Sequence, residues 1–280
     1  MKLHTVPALQ GFVWVRRGFQ VFLGQPLATT FLLASFLFGA LLLLLIPGIG
    51  VLLLLMALPL VSLGFMIASR NSLDGQRAGP KVFVEGLQGP PSQRKTMLYL
   101  LSAYAAANIV VMLLSDVIDA GRLEALQTAA TSDKPMSAEA LNAMLGDPRL
   151  FWAMVLRLAL TAVIALPFWH APALVHWQGQ GVAQALFISS LACWRNKGAF
   201  VVYGLGWLVL ILLFSFIANA LVALLGEPRL LALAAMPAGL MFSTAFYASL
   251  YFTYADSFRP DQPVGHDEAV LLDSDRPSGN

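Results

Sequence analysis

The chain has 280 residues, of which 58% are apolar and only 11% charged, with a mean hydropathy of +0.74 and a formal charge of +2. Soluble domains carry charge on about a quarter of their residues, so an ordinary cytosolic enzyme, a disordered chain and a collagen-like repeat are excluded. A disulfide-stapled scaffold goes as well, because Cys193 is the single cysteine.

In chain order, the first element is a moderately amphipathic stretch over 9–23. Phe12, Val15, Phe19 and Phe22 cluster at helical spacing, with Gln10, Arg17 and Gln20 toward the other side. It is expected to lie in the headgroup plane. Six apolar runs follow, over 27–46, 49–69, 96–117, 150–174, 198–225 and 230–254. Each is long enough to cross a hydrocarbon core of about 30 Å as a helix, and too long and unalternating for a barrel strand. The expected fold is all-α, a polytopic bundle of six transmembrane helices with interfacial amphipathic helices. The first run is read as retained, because the residues before it form no compact signal-peptide head.

Pro47-Gly48 and Gly226-Glu227-Pro228 make tight links between spans. The loop over 118–149 is long and acidic, with a short helix expected from Ser137 to Leu145. A second amphipathic stretch is expected over 182–194, and a weaker one around Val82, Phe83 and Leu87. The chain therefore parses as three units, each an interfacial segment followed by a helix pair. Residues 256–280, with Asp256, Asp261, Asp267, Glu268, Asp273 and Asp275, read as an acidic, solvated tail. Its Ala269-Val270-Leu271-Leu272 patch is either a short partner motif or plain unstructured chain.

Basic residues set the orientation. With six spans both termini share one side, which then holds Lys2, Arg16, Arg17, Arg70, Arg77, Lys81, Arg94, Lys95, Arg195, Lys197, Arg259 and Arg276. The other side holds Arg122, Lys134, Arg149 and Arg229. The positive-inside rule puts both termini in the cytoplasm.

Catalytic signatures are missing: there is no paired-histidine zinc helix, no nucleophile elbow and no phosphate-binding glycine loop. His170 and His176 flank Pro172, where metal binding competes with the ordinary reading of interfacial histidines beside Trp169 and Trp177. Cys193 reads as a small buried side chain. Arg157 stands about 10 Å inside the fourth span, where a charge costs about 2–3 kcal/mol unless paired or snorkelled. Asp116, near the end of the third span, is its candidate partner. The candidate intramembrane polar site is Arg157, Asp116, Asn108 and Asn219, read either as a solute or proton path or as an interhelical clamp with plain snorkelling. In the sixth span, Ala235, Gly239 and Ser243 form a small-residue stripe, and Tyr247, Tyr251 and Tyr254 an aromatic one. Pro59, Pro167 and Pro237 are candidate kinks.

The stretch from Phe168 through Trp169, His170, Ala171 and Pro172 to Val175, then Ala185 to Ser190, then Trp194-Arg195-Asn196-Lys197, resembles a family of proteobacterial six-helix inner-membrane proteins of uncharacterised function. Trp14, Gly18, Phe19, Phe22 and Pro26, and Pro59, Gly64 and Met66, are similar to it as well. The resemblance covers most of residues 8 to 255. It implies an integral cytoplasmic-membrane protein and supplies no catalytic residues.

The expected function is a non-enzymatic scaffold, assembly factor or accessory subunit, with a small-solute or lipid transporter around Arg157 as the alternative. No cofactor, metal or nucleic acid is expected; the expected partners are membrane lipids and another membrane protein.

Overall fold

The computed structural model describes residues 3–119, 128, 146–226 and 229–258. The expected helix over 137–145, most of its loop, and the tail beyond 258 with its Ala269 to Leu272 patch lie outside the described residues.

The described chain is helical: α1 (Gln10–Gly24), α2 (Pro26–Leu44), α3 (Gly50–Leu73), α4 (Val82–Glu85), α5 (Pro91–Asp119), α6 (Pro148–Phe168), α7 (Ala171–Gln178), α8 (Val182–Arg195), α9 (Lys197–Leu225) and α10 (Arg229–Ser257). Local chemistry sets the ends. Asp147 caps α6 by accepting the backbone N–H of Arg149 at 2.8 Å, with Pro148 at the first helical position. Gly179 and Gly226, at φ of 64° and 69°, close α7 and α9 in the left-handed conformation.

The fold is an all-α membrane helix bundle. Among the described residues, five segments are long and apolar enough to cross a bilayer: α2, α3, α5 as far as Ser115, α6 continued through α7, and α9. The sixth expected span folds as the 29-residue α10. It packs against α1, α2, α3 and α9, and buries Thr244, Ser249, Thr253 and Asp256. α2 and α9 instead turn Phe31, Phe38, Leu208 and Phe216 outward.

The fourth span is two helices. Pro167 and Pro172 bracket a turn at Trp169-His170, and α6 gives way to α7 there. The hydroxyl of Ser189, on α8, bridges the break: it donates to the carbonyl of Leu166 at 3.0 Å and accepts the N–H of His170 at 2.9 Å. Both groups lose their regular helical partners at such a break, and one side chain satisfies them.

α1 buries Gly11, Trp14, Val15, Gly18 and Val21, with Phe19 and Phe22 of the expected cluster packed against the same core, while Phe12 points outward. A Cβ at Gly11 would collide with the carbonyl of Ala199, and one at Gly18 with the carbonyl of Ala245 and with Ser249. α1 is thus wedged between α9 and α10, antiparallel to α10, because the two glycines allow backbone approach. Small residues of α10 answer them at Ala245, Ala248 and Ser249, all buried. Gly239 of the expected stripe has nothing within 4 Å. The three expected interfacial segments also differ: α1 and α8 are full helices, whereas α4 is one turn, its Phe83 seated against Gly64 of α3.

Candidate functional site

Two features stand out. The first, where the C-terminus of α10 meets the N-termini of α1 and α9, is a knot of buried polar side chains. Asp256, read in sequence as the start of a solvated tail, is still helical and 3% exposed. Its Oδ2 accepts the side-chain amide of Gln10 at 2.6 Å and the indole N–H of Trp14 at 2.9 Å, with an Arg17 Nη1 at 3.7 Å. Gln10, Trp14 and Arg17 are spaced four and three apart on one face of α1. A carboxylate at a helix C-terminus is disfavoured by the dipole, and burial adds a desolvation cost; the three donors offset both. The apolar pattern of Tyr251, Phe252, Tyr254 and Phe258 runs past Asp256, which is the sequence signal that the helix continues.

Asn196, between α8 and α9, is the second half of the knot. Its Oδ1 accepts the N–H of Val6 at 2.8 Å, and its Nδ2 donates to the carbonyl of His4 at 3.1 Å and to the hydroxyl of Ser257 at 3.3 Å. His4 in turn donates its N–H to the carbonyl of Ser257 at 3.0 Å. The N-terminal segment is therefore tied to both α9 and α10. His170 lies nearby with its ring buried among Phe200, Tyr254 and Phe258, and neither ring nitrogen has a partner among the described residues. It is a core histidine rather than a headgroup-level one. His176 is only partly buried, and Gln93 donates to its backbone carbonyl. Among the described residues no three His, Cys, Asp or Glu side chains are grouped to hold a metal.

Cys193 is buried on α8, with its thiol 3.7 Å from the carbonyl of Leu166. Desolvation pushes its pKa up to about 12.

The second feature is a cavity of about 200 Å³ between α3, α5, α6 and α10. Tyr104, Phe168, Trp169, Phe246 and Tyr247 supply its rings, beside Pro59 and Ser62. Pro59 leaves the carbonyl four residues back without its helical donor. Ser62 spends its proton on the carbonyl of Pro59 at 2.9 Å.

The expected polar site is placed as follows. Arg157 is half-buried on α6 and makes no ion pair or hydrogen bond among the described residues. The side chain of Asp116 lies outside them, although its helix α5 packs on α6. Asn108 donates to the carbonyl of Tyr104, one turn back on α5, at 2.9 Å, and its side chain lies beside the Tyr104 phenol. Asn219 is on α9, which packs on α1 and α10, and donates to the carbonyl of Ser215 at 2.7 Å. Asp256, Asn196, Ser189 and Tyr247 are the polar residues that sequence reasoning left out.

Over 264 residues the chain is 34% identical to a protein of Burkholderia thailandensis described as a probable inner membrane protein, covering 94% of this chain and 96% of that one. No family model matches the chain. No solved structure matches it.

Proposed function

From the premise that this chain belongs to the family of that Burkholderia inner membrane protein, we propose that it is a multi-pass inner-membrane protein acting without catalysis, as a scaffold, assembly factor or accessory subunit. The observation that carries this reading is how its polar side chains are used. Asp256, Asn196 and Ser189 each hold two or more chain segments together. Side chains spent this way position a rigid platform rather than a reacting group. The platform lies at the end where α3, α5 and α9 carry Arg70, Arg94, Lys95 and Lys197, and the positive-inside rule assigns that end and both termini to the cytoplasm. Its partners are membrane lipids and another membrane protein.

Purification in mild detergent, with mass spectrometry of co-purifying proteins, tests the reading. A stoichiometric protein partner supports it, and a chain that always purifies alone removes it. Reporter fusions after Lys81 and after Lys134 test the orientation; cytoplasm and exterior respectively are expected, and the reverse overturns it.

A second reading, a small-solute or lipid transporter, is favoured by Arg157. A half-buried guanidinium inside a span with no ion pair among the described residues is where a polar path would start. A solute or lipid retained by the wild type and lost in Arg157→Ala would support it.

A further inference from the structure

The aromatic cavity is used neither by the scaffold reading nor by Arg157. Its volume of about 200 Å³ compares with the roughly 150 Å³ that admits a benzene ring in an apolar protein interior. One substituted six-membered ring fits; a phospholipid headgroup with its glycerol does not. The walls are ring faces and edges: Tyr104 meets Phe168 edge-on at 5.1 Å, Trp169 meets Phe246 at 6.4 Å, and Phe246 meets Tyr247 at 5.7 Å. A planar guest gains offset and edge-to-face contacts from such walls.

The polar atoms narrow the guest further. None of the lining residues is charged, so a charged ligand would be desolvated without compensation. Tyr247 donates its phenol proton to no group among the described residues, and it lies within electrostatic reach of the Tyr104 phenol. Ser62 has already donated its own proton, so its oxygen can only accept. What the cavity offers is therefore phenolic donors to an acceptor. The rim residues Leu58 and Ala165 are half-exposed on apolar helices, and entry from the bilayer selects a membrane-soluble molecule.

We propose that this cavity binds a neutral, single-ring amphiphile carrying hydrogen-bond-accepting oxygens, the chemistry of a membrane quinone headgroup. The ring sits among Tyr104, Phe168, Trp169 and Phe246. Its oxygens accept from Tyr247 and Tyr104. Its tail leaves past Leu58 and Ala165.

The test is a titration of the full-length protein in detergent with a decyl-substituted benzoquinone, read by quenching of tryptophan fluorescence, since Trp169 lines the cavity. Saturable quenching is expected. Tyr247→Phe, which removes one oxygen only, should weaken it about tenfold, and Ser62→Leu, which fills the cavity, should abolish it. Linear quenching equal in all three proteins overturns the proposal, because it reports partition into the micelle. Saturable quenching unchanged in Tyr247→Phe overturns it too, even if Ser62→Leu does not fold. Displacement by a short-chain phosphatidylglycerol as readily as by quinone would assign the cavity to lipid chains and reject the ring. None of these failures touches the scaffold reading, which rests on protein co-purification.

Discussion

Trp14 and Asp256 lie 242 positions apart in sequence and share a hydrogen bond of 2.9 Å, fully shielded from solvent. Gln10 donates to the same carboxylate oxygen. The bond joins the first helix to the end of the last one, so the knot closes only after every span between them is in place. Between membrane helices there is little hydrophobic driving force, and packing and polar contacts decide association. A buried carboxylate with matched donors is therefore a strong pin for α1.

Removing that pin should be expensive. Asp256→Ala leaves the Trp14 and Gln10 donors buried without an acceptor, and a loss of about 3 kcal/mol is expected. Asp256→Asn keeps one acceptor and should cost less. Arg17 is 40% exposed and 3.7 Å away, so Arg17→Ala should cost under about 1 kcal/mol. Thermal unfolding in one detergent checks the order. A melting temperature for Asp256→Ala at or above that of Arg17→Ala would refute the pin.

The wedge of α1 gives a second outcome. A methyl group at Gly11 meets the backbone carbonyl of Ala199, which cannot step aside as a flexible side chain would. Gly24, at the end of the same helix, has nothing within 4 Å. Gly11→Ala should destabilise by about 1–3 kcal/mol through overpacking, and Gly24→Ala should change little or stabilise slightly through helix propensity. Limited proteolysis near the N-terminus is the readout. Equal cleavage rates in the two variants would show that α1 is not seated between α9 and α10.

Much of the fold was legible because spans are local. The expected run over 198–225 is α9 to within a residue at its start, and the run over 27–46 is α2 to within two at each end. What was not legible is pairing at a distance. Nothing within ten residues of Asp256 announces Gln10 and Trp14 as its partners, so an acid beside a tail was read as tail. In α1 the phenylalanines at helical spacing outweighed the glycines, yet the glycines decide the buried face because close approach needs the absence of a Cβ. The break at Trp169-His170 was signalled by Pro167 and Pro172, but its stability rests on Ser189 some twenty residues later. The cavity residues come from four helices; Tyr247 stood out only as part of an aromatic stripe, and Tyr104 carried no signal.

Cys193 makes a chemical prediction. Only the thiolate reacts quickly with maleimides, and burial holds the Cys193 pKa at about 12. The neutral thiol dominates while the pH stays below that value, so even at a pH of about 9 only about 0.1% of Cys193 is thiolate, where a free thiol of ordinary pKa is mostly ionised. Labelling of the folded protein should be far slower than that of a free thiol at a pH of about 7 and of about 9 alike. Intact mass spectrometry should find little adduct in detergent and full modification after denaturation. Rapid labelling of the folded chain would mean that α8 lifts away from Leu166.

Arg157 and Asp116 stand on helices that pack together, the arginine ten residues into α6 and the aspartate four from the end of α5. In an antiparallel neighbour pair these two positions lie toward the same end of the bundle. An unpaired arginine at this depth costs about 2–3 kcal/mol, so its retention calls for either a partner or a path to the interface. If it clamps the helices, Arg157→Ala lowers the melting temperature more than Arg122→Ala, and a cycle with Asp116→Ala returns a coupling of about 1 kcal/mol or more. If it only snorkels, the aliphatic stem still covers apolar surface, and the coupling falls below about 0.5 kcal/mol. We expect the clamp. Equal melting temperatures for the two arginine variants would remove it and leave the polar-path reading to be judged by what co-purifies.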